Sequence, residues 1–167
     1  PKEITGRVVE AIGSSPQFCH HLHVPVQSGS DRILRRMNRG YTTDAYLNSV
    51  ALLRNELPEL SLTTDVMVGF PGETDEDFQQ SCEVVSQVGF SKVHIFPFSS
   101  RPGTPAHRFA DHVSPKLVKE RCARLSAKAN AAALKTRQRF QGRVVEVLVE
   151  REFRGGDRKR LPRFFGD

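Results

Sequence analysis

Leu62-Thr63-Thr64-Asp65-Val66-Met67-Val68-Gly69-Phe70-Pro71-Gly72-Glu73-Thr74, residues 62–74, is an apolar run that ends in a glycine- and proline-rich turn and a helix cap. A short, largely β-branched run closed by turn residues reads as a strand buried on both faces, here Leu62–Phe70. Thr74 supplies an N-cap, and Asp75, Glu76 and Asp77 place carboxylates in the first helical turn, where the helix dipole favours them. The helix is expected over Asp75–Val88. A strand that runs directly into a capped helix is one βα unit, and such units build parallel sheets.

The pattern recurs on both sides. Upstream, His21–Val26 reads as a strand, followed by a helix over Asp31–Asn38 with Ser30 as its N-cap and a second helix over Asp44–Glu56 capped by Thr43. Downstream, Lys92–Phe98 reads as a strand. A Pro/Gly loop leads from it to a helix from Pro115 to about Phe140, where Ser114-Pro115 combines an N-cap with proline at the first helical position. Leu117, Val118, Cys122, Leu125, Ala129, Ala132 and Ala133 form the apolar stripe of that helix. Arg143–Glu150 alternates as a final strand, and Ile4–Ile12 reads as an opening helix. The fold class is α/β. Three parallel strands alone leave long unpaired edges, so further strands are expected before Pro1.

The chain has 167 residues and 38% hydrophobic content, enough for one core. No apolar run is long enough to span a membrane and no signal-peptide pattern opens the chain, so a protein without membrane contact, cytoplasmic and monomeric, is expected. Cys19, Cys82 and Cys122 fit no CxxC-type spacing and read as reduced, unligated thiols. No metal site is expected within the chain. Charge is divided: residues 1–100 carry 8 Lys/Arg against 12 Asp/Glu, and residues 101–167 carry 17 against 7. A basic C-terminal part suits a polyanion such as RNA or DNA, with a solvated basic helix face as the lesser alternative.

In α/β sheets ligands bind beyond the C-terminal ends of the strands, and all three loops there are unusual. The first, Pro25-Val26-Gln27-Ser28-Gly29-Ser30-Asp31, offers an amide and two hydroxyls beside a helix N-terminus. The second, Gly69 to Thr74, is rigid, with the Glu73 carboxylate able to accept from a ribose hydroxyl or an ammonium group. The third, Ser99-Ser100-Arg101-Pro102-Gly103-Thr104-Pro105, places Arg101 for a carboxylate or phosphate. Each also reads as a turn with an N-cap; their register at one sheet end favours a site. Asp65 is a charge within a buried run and needs partners, as lumen-facing group or structural acceptor. His21 and His23 share a strand face and read as hydrogen-bonded rather than metal-binding. Arg35–Tyr41 reads as a helix end closed by Gly40, or as a basic contact. Serine-hydrolase, Walker and GxGxxG patterns are missing from the sequence.

His21–Asp31, Met37-Asn38-Arg39-Gly40-Tyr41-Thr42, Thr64–Thr74 and Phe98–Ala106, in this order and spacing, closely resemble the tRNA methylthiotransferases of the radical S-adenosylmethionine class. The resemblance covers about residues 4–150. Asn38-Arg39, His94–Ser99 and Gly142–Glu150 look most like the MtaB type, which acts on threonylcarbamoyladenosine beside the tRNA anticodon; the MiaB type, acting on isopentenyladenosine, is the near alternative. A non-catalytic RNA-binding protein is a reading from a different class. The resemblance implies the C-terminal half of a partial (βα)6 barrel over 1–136, the start of a small TRAM β-barrel over 137–150, and a basic tail over 151–167. It implies S-adenosylmethionine and two 4Fe-4S clusters in a longer parent and tRNA as partner. It also implies cofactor contacts from Gln27, Ser28, Asp65, Met67, Gly69, Glu73, Ser99 and Arg101, and RNA contacts from Arg137, Arg139 and Arg143. No CxxxCxxC occurs, so catalytic cluster cysteines are expected outside this chain, and the chain alone is expected to be inactive.

Overall fold

A computed structural model describes residues 3–144 of the chain. The elements follow in the order α1 (Gly6–Gly13), β1 (His21–His23), α2 (Asp31–Arg36), α3 (Thr43–Glu56), β2 (Ser61–Val68), α4 (Asp75–Val88), β3 (Lys92–Pro97) and α5 (Pro115–Gln138), with a 3₁₀ turn at Pro105–Arg108. The three strands form one parallel sheet in the order β1-β2-β3. This is the α/β, βα-repeating architecture expected from the apolar runs.

Strand register divides the sheet into two unlike faces. Leu62, Thr64, Val66 and Val68 of β2 are buried and point to the helices, where Tyr46, Val50 and Leu53 of α3, Phe78, Cys82 and Val85 of α4, and Leu125 and Ala129 of α5 complete the core. Each of the valine, leucine and phenylalanine side chains contributes roughly 1.5–3 kcal/mol through burial. On the other face, His23 lies beside Thr63, Asp65 beside His94, and Met67 beside Phe96. None of those six residues belongs to the apolar core. A strand buried on one side and polar on the other explains why a charged residue interrupts the run at position 65.

Local differences from the expected elements have specific causes. Strand β1 ends at His23 because Pro25 has no N–H for the ladder, yet the pairing resumes at Gln27, which donates to the Asp65 carbonyl and accepts from Met67 N–H, both at 2.9 Å. Helix α3 is capped by Thr42, whose hydroxyl accepts from Ala45 N–H, so Thr43 is not the cap; its hydroxyl donates to the Gly29 carbonyl at 3.0 Å. Helix α2 is closed by Asn38 in the left-handed conformation (φ 56°), and Gly40 is not the stop; Arg39 N–H reaches back to the Leu34 carbonyl at 2.9 Å. The Ser30, Thr74 and Ser114 caps form as expected, and Thr74 is joined by Asp77 in a reciprocal capping box. The expected strand over Arg143–Glu150 and the tail lie largely or wholly outside the described residues.

Candidate functional site

Because the strands are parallel, the loops after β1, β2 and β3 emerge at one end of the sheet. Acidic side chains bind them together there. Asp77 accepts from Ser30 Oγ at 2.6 Å, from Thr74 N–H at 2.8 Å and Thr74 Oγ1 at 2.6 Å, and from the Arg32 guanidinium. Arg32 also donates to the Gly72 carbonyl. One carboxylate thus ties the loop after β1 to the loop after β2. Burial alone would raise the Asp77 carboxyl, but the hydrogen bonds from Arg32, Ser30 and Thr74 outweigh it and hold it well below the usual carboxylate range.

The third loop is attached in the same manner. Asp111 pairs with Arg36 at 2.9 Å, its carbonyl accepts from Gly72 N–H at 2.7 Å, and the Arg36 guanidinium lies 4.7 Å from the Phe109 ring centroid. Helix α5 is held by Arg121, which is 1% exposed and donates to Glu73 Oε2 and Asp75 Oδ1, each at 2.7 Å. Burial pushes the Glu73 carboxyl up, against the lowering pull of Gly69 N–H and of Arg121.

These contacts sort the residues expected to bind a cofactor. Glu73 does not present its carboxylate to a ligand: it is 5% exposed and held by Arg121 and Gly69 N–H. Ser28 is likewise internal, with no exposed surface, accepting from Ser30 N–H at 3.1 Å and lying 3.4 Å from Ser81 Oγ. Gly69 serves the turn itself, with φ 78° and no room for a Cβ, which would meet Val118 at 2.4 Å. Asp65 and Met67, half-buried on the polar sheet face, together with half-buried Gln27 and the exposed Ser99 and Arg101 of the loops, remain open to a ligand. Asp65 lies 3.3 Å from His23 Nε2, and His23 and His21 both bond Thr63 Oγ1 at 2.9 Å, so these histidines are hydrogen-bonded as expected. Burial and the nearby His23 lower the pKa of His21.

The arginines expected to meet RNA occupy the opposite end of the sheet. Arg139 donates to the carbonyls of Pro58, Glu59 and Leu60 just before β2, Arg137 to the Ser91 carbonyl just before β3, and Arg143 pairs with Glu59 at 3.1 Å. They clasp the end of α5 to the starts of the strands. Arg121 and Asp111 were not singled out by sequence reasoning, and Arg36 and His94 entered it only as members of longer stretches. Asp77 was seen only as a first-turn charge, although its spacing from Thr74 signals the capping box.

Among the described residues no group of three or more His, Cys, Asp or Glu is placed to hold a metal ion. Cys19 is exposed before β1, Cys82 is buried in α4 and Cys122 is half-buried in α5, so these thiols form no common site for an iron–sulfur cluster. No helix among the described residues is long and apolar enough to cross a membrane.

Comparison with known proteins fits this geometry. Residues 3–85 match the model of the radical SAM superfamily. The chain is 49% identical over 150 residues to the tRNA-2-methylthio-N(6)-dimethylallyladenosine synthase of Methylococcus capsulatus and 45% identical over 149 residues to the protein of the same name from Mycobacteroides abscessus. The chain belongs to the radical SAM methylthiotransferase family. Those alignments take in 90% and 89% of this chain but 33% and 29% of the relatives, so the chain spans about a third of the length of the curated relatives it matches. Among solved structures, coproporphyrinogen III oxidase from Escherichia coli, described as a radical SAM enzyme, superposes with a TM-score of 0.66 over 79% of this chain and 31% of that one. At 21% identity this likeness shows the fold.

Proposed function

We propose that the protein of which this chain forms part is a radical SAM tRNA methylthiotransferase that modifies an isopentenyl-type adenosine. The observation carrying this is the 49% identity, over 90% of the chain, to a relative named for 2-methylthio-N(6)-dimethylallyladenosine synthesis. The relatives' names favour the isopentenyl substrate over threonylcarbamoyladenosine, the substrate the motifs alone suggested.

In this reading S-adenosylmethionine, whose radical chemistry the family is named for, sits at the loop end of the sheet. Asp65 and Met67 would face it or the substrate from β2, Gln27 from the first loop, and Ser99 and Arg101 from the third. Ser28, Gly69 and Glu73 would act one step back, holding the loops in place. A pocket of this kind gains from loops that are already bonded to each other, because less ordering entropy opposes binding. The chain's own thiols supply no cluster site, so the reading needs cluster ligands from another part of the protein. Arg137, Arg139 and Arg143 would meet tRNA phosphates only with the donors that their present partners leave over, whereas exposed Arg101 and Arg108 stand at the loop end. The barrel, TRAM and tail boundaries and the cytoplasmic, monomeric state belong to the same proposal.

The test is to express the gene that encodes this chain in cells lacking the isopentenyladenosine methylthiotransferase and to digest their tRNA for nucleoside mass spectrometry. Recovery of the methylthio-isopentenyl nucleoside is expected. Recovery of the threonylcarbamoyl product instead would assign the other substrate, and the absence of both products would refute the enzyme.

A further inference from the structure

The polar face of the sheet carries a line of side chains that loop positioning leaves unused. His21 Nε2 and His23 Nδ1 each lie 2.9 Å from Thr63 Oγ1, and His23 Nε2 lies 3.3 Å from Asp65 Oδ1. Thr63 is 1% exposed, and the Asp65 side chain is 25% exposed. A hydroxyl has one proton to donate and two lone pairs to accept with, so at most one of the two histidines on Thr63 accepts from it. Asp65 decides which. An ionised carboxylate only accepts, so the His23 proton sits on Nε2, neutral His23 accepts from Thr63 at Nδ1, and His21 donates its Nε2–H to Thr63. The line therefore has a direction, from His21 near the strand starts to Asp65 nearer the loops.

We propose that His21, Thr63, His23 and Asp65 form a proton relay that charges His23 beside Asp65 and so supplies a proton to the sheet face where a ligand binds. A proton entering at His21 Nδ1 releases the His21 Nε2 proton to Thr63 Oγ1, and Thr63 passes its own proton to His23 Nδ1. His21 ends neutral with its proton on Nδ1, Thr63 keeps one proton, and the charge resides on the His23 imidazolium paired with Asp65. Asp65 and His23, with side chains 25% and 40% exposed, are the groups open to a bound molecule, and Thr63 and His21 are positioning residues behind them. The other groups on this face that influence the charge are Lys92, beside Thr63, and His94, beside Asp65 with its ring 5.8 Å from that of His23. His94 and Phe96 are stacked, with centroids 6.4 Å apart and planes at 14°, and Phe96 is half exposed, which offers a planar heterocycle an aromatic surface next to the proton.

This inference rests on the proposed site at this sheet face, but its first test does not depend on methylthiolation. Two-bond proton–nitrogen NMR of the histidine-labelled full chain reads each ring's tautomer. His23 and His21 are both expected to carry their neutral-state proton on Nε2, and Thr63→Val is expected to return His21 to a mixture while Thr63→Ser preserves the pattern. A His23 proton on Nδ1, or tautomers indifferent to Thr63→Val in a folded variant, would overturn the relay. The second test uses the whole protein with its clusters and tRNA: His21→Gln, distant from the substrate, is expected to lower kcat at least threefold and to shift the pH profile with KM unchanged. Superimposable profiles would also overturn it. A wild-type protein without methylthio transfer would instead refute the proposed function and leave the NMR result standing.

Discussion

Asp77 shows how one side chain can set the position of two loops. Its carboxylate is held by Ser30 from one helix cap and Thr74 from another, with Arg32 across both. Replacing it with asparagine removes charge-assisted acceptors at a cap and is expected to cost about 2 kcal/mol in urea unfolding at neutral pH. The sign with pH follows from its depressed folded-state pKa. Its contribution is complete above the unfolded carboxylate value, about 3.9, and fades as pH falls through the folded value. The gap between parent and variant should therefore narrow below about pH 4; a gap that holds constant to acid pH would show that charge plays no part. Gly69 is limited by conformation and by space. With φ 78° and Val118 2.4 Å from the place a Cβ would take, Gly69→Ala should lose about 1–2 kcal/mol from the left-handed backbone plus a clash. Unfolding of the Gly69→Ala, Val118→Ala pair should recover only the clash.

At the scale of elements, α5 spans the molecule and is fastened at both ends by arginine, with different partners. At its start Arg121 meets the buried Glu73 carboxylate and the exposed Asp75, and at its end Arg139 meets backbone carbonyls. Arg121→Met leaves the Glu73 carboxylate buried without its cation, a loss expected to reach about 3–5 kcal/mol. Adding Glu73→Gln, which still accepts from Gly69 N–H, should return part of it, and a denaturation cycle on the two single variants and the double variant measures the coupling. Arg121 was hidden from sequence reasoning because a cation among Leu117, Cys122 and Leu125 looks like a break in the apolar stripe. The partners that make its burial tolerable lie 48 and 46 positions away.

For the whole molecule, the two ends of the sheet have separate tasks. The loop end collects Asp77, Asp111, Glu73 and their arginines around the proposed ligand site, while the strand-start end is closed by Arg54, Arg137 and Arg139 on carbonyls. Arg139→Ala is therefore expected to speed amide hydrogen exchange near the end of α5 and at 60–62, and to leave exchange at 69–74 unchanged. Equal acceleration at both ends would show that the sheet transmits the disturbance.

The order of elements, the βα repeat, most helix caps and the family are legible in the chain alone. They depend on local signals: an apolar run, a threonine before acidic residues, a serine before proline, and motifs contiguous in the chain. Which of the marked residues face a ligand is settled only by folding. Ser28 and Glu73 look like ligand groups in their own loops but are turned inward by Ser81 and Arg121. Arg137, Arg139 and Arg143 look like a basic surface but are engaged by distant carbonyls and by Glu59. The physical reason is that a polar group's availability depends on whichever partner folding brings within about 3 Å, and those partners lie dozens of residues away. The run at 62–74 shows both sides of this: its strand, turn and cap are local, while the polar line through Thr63 and Asp65 exists only once β1 lies alongside.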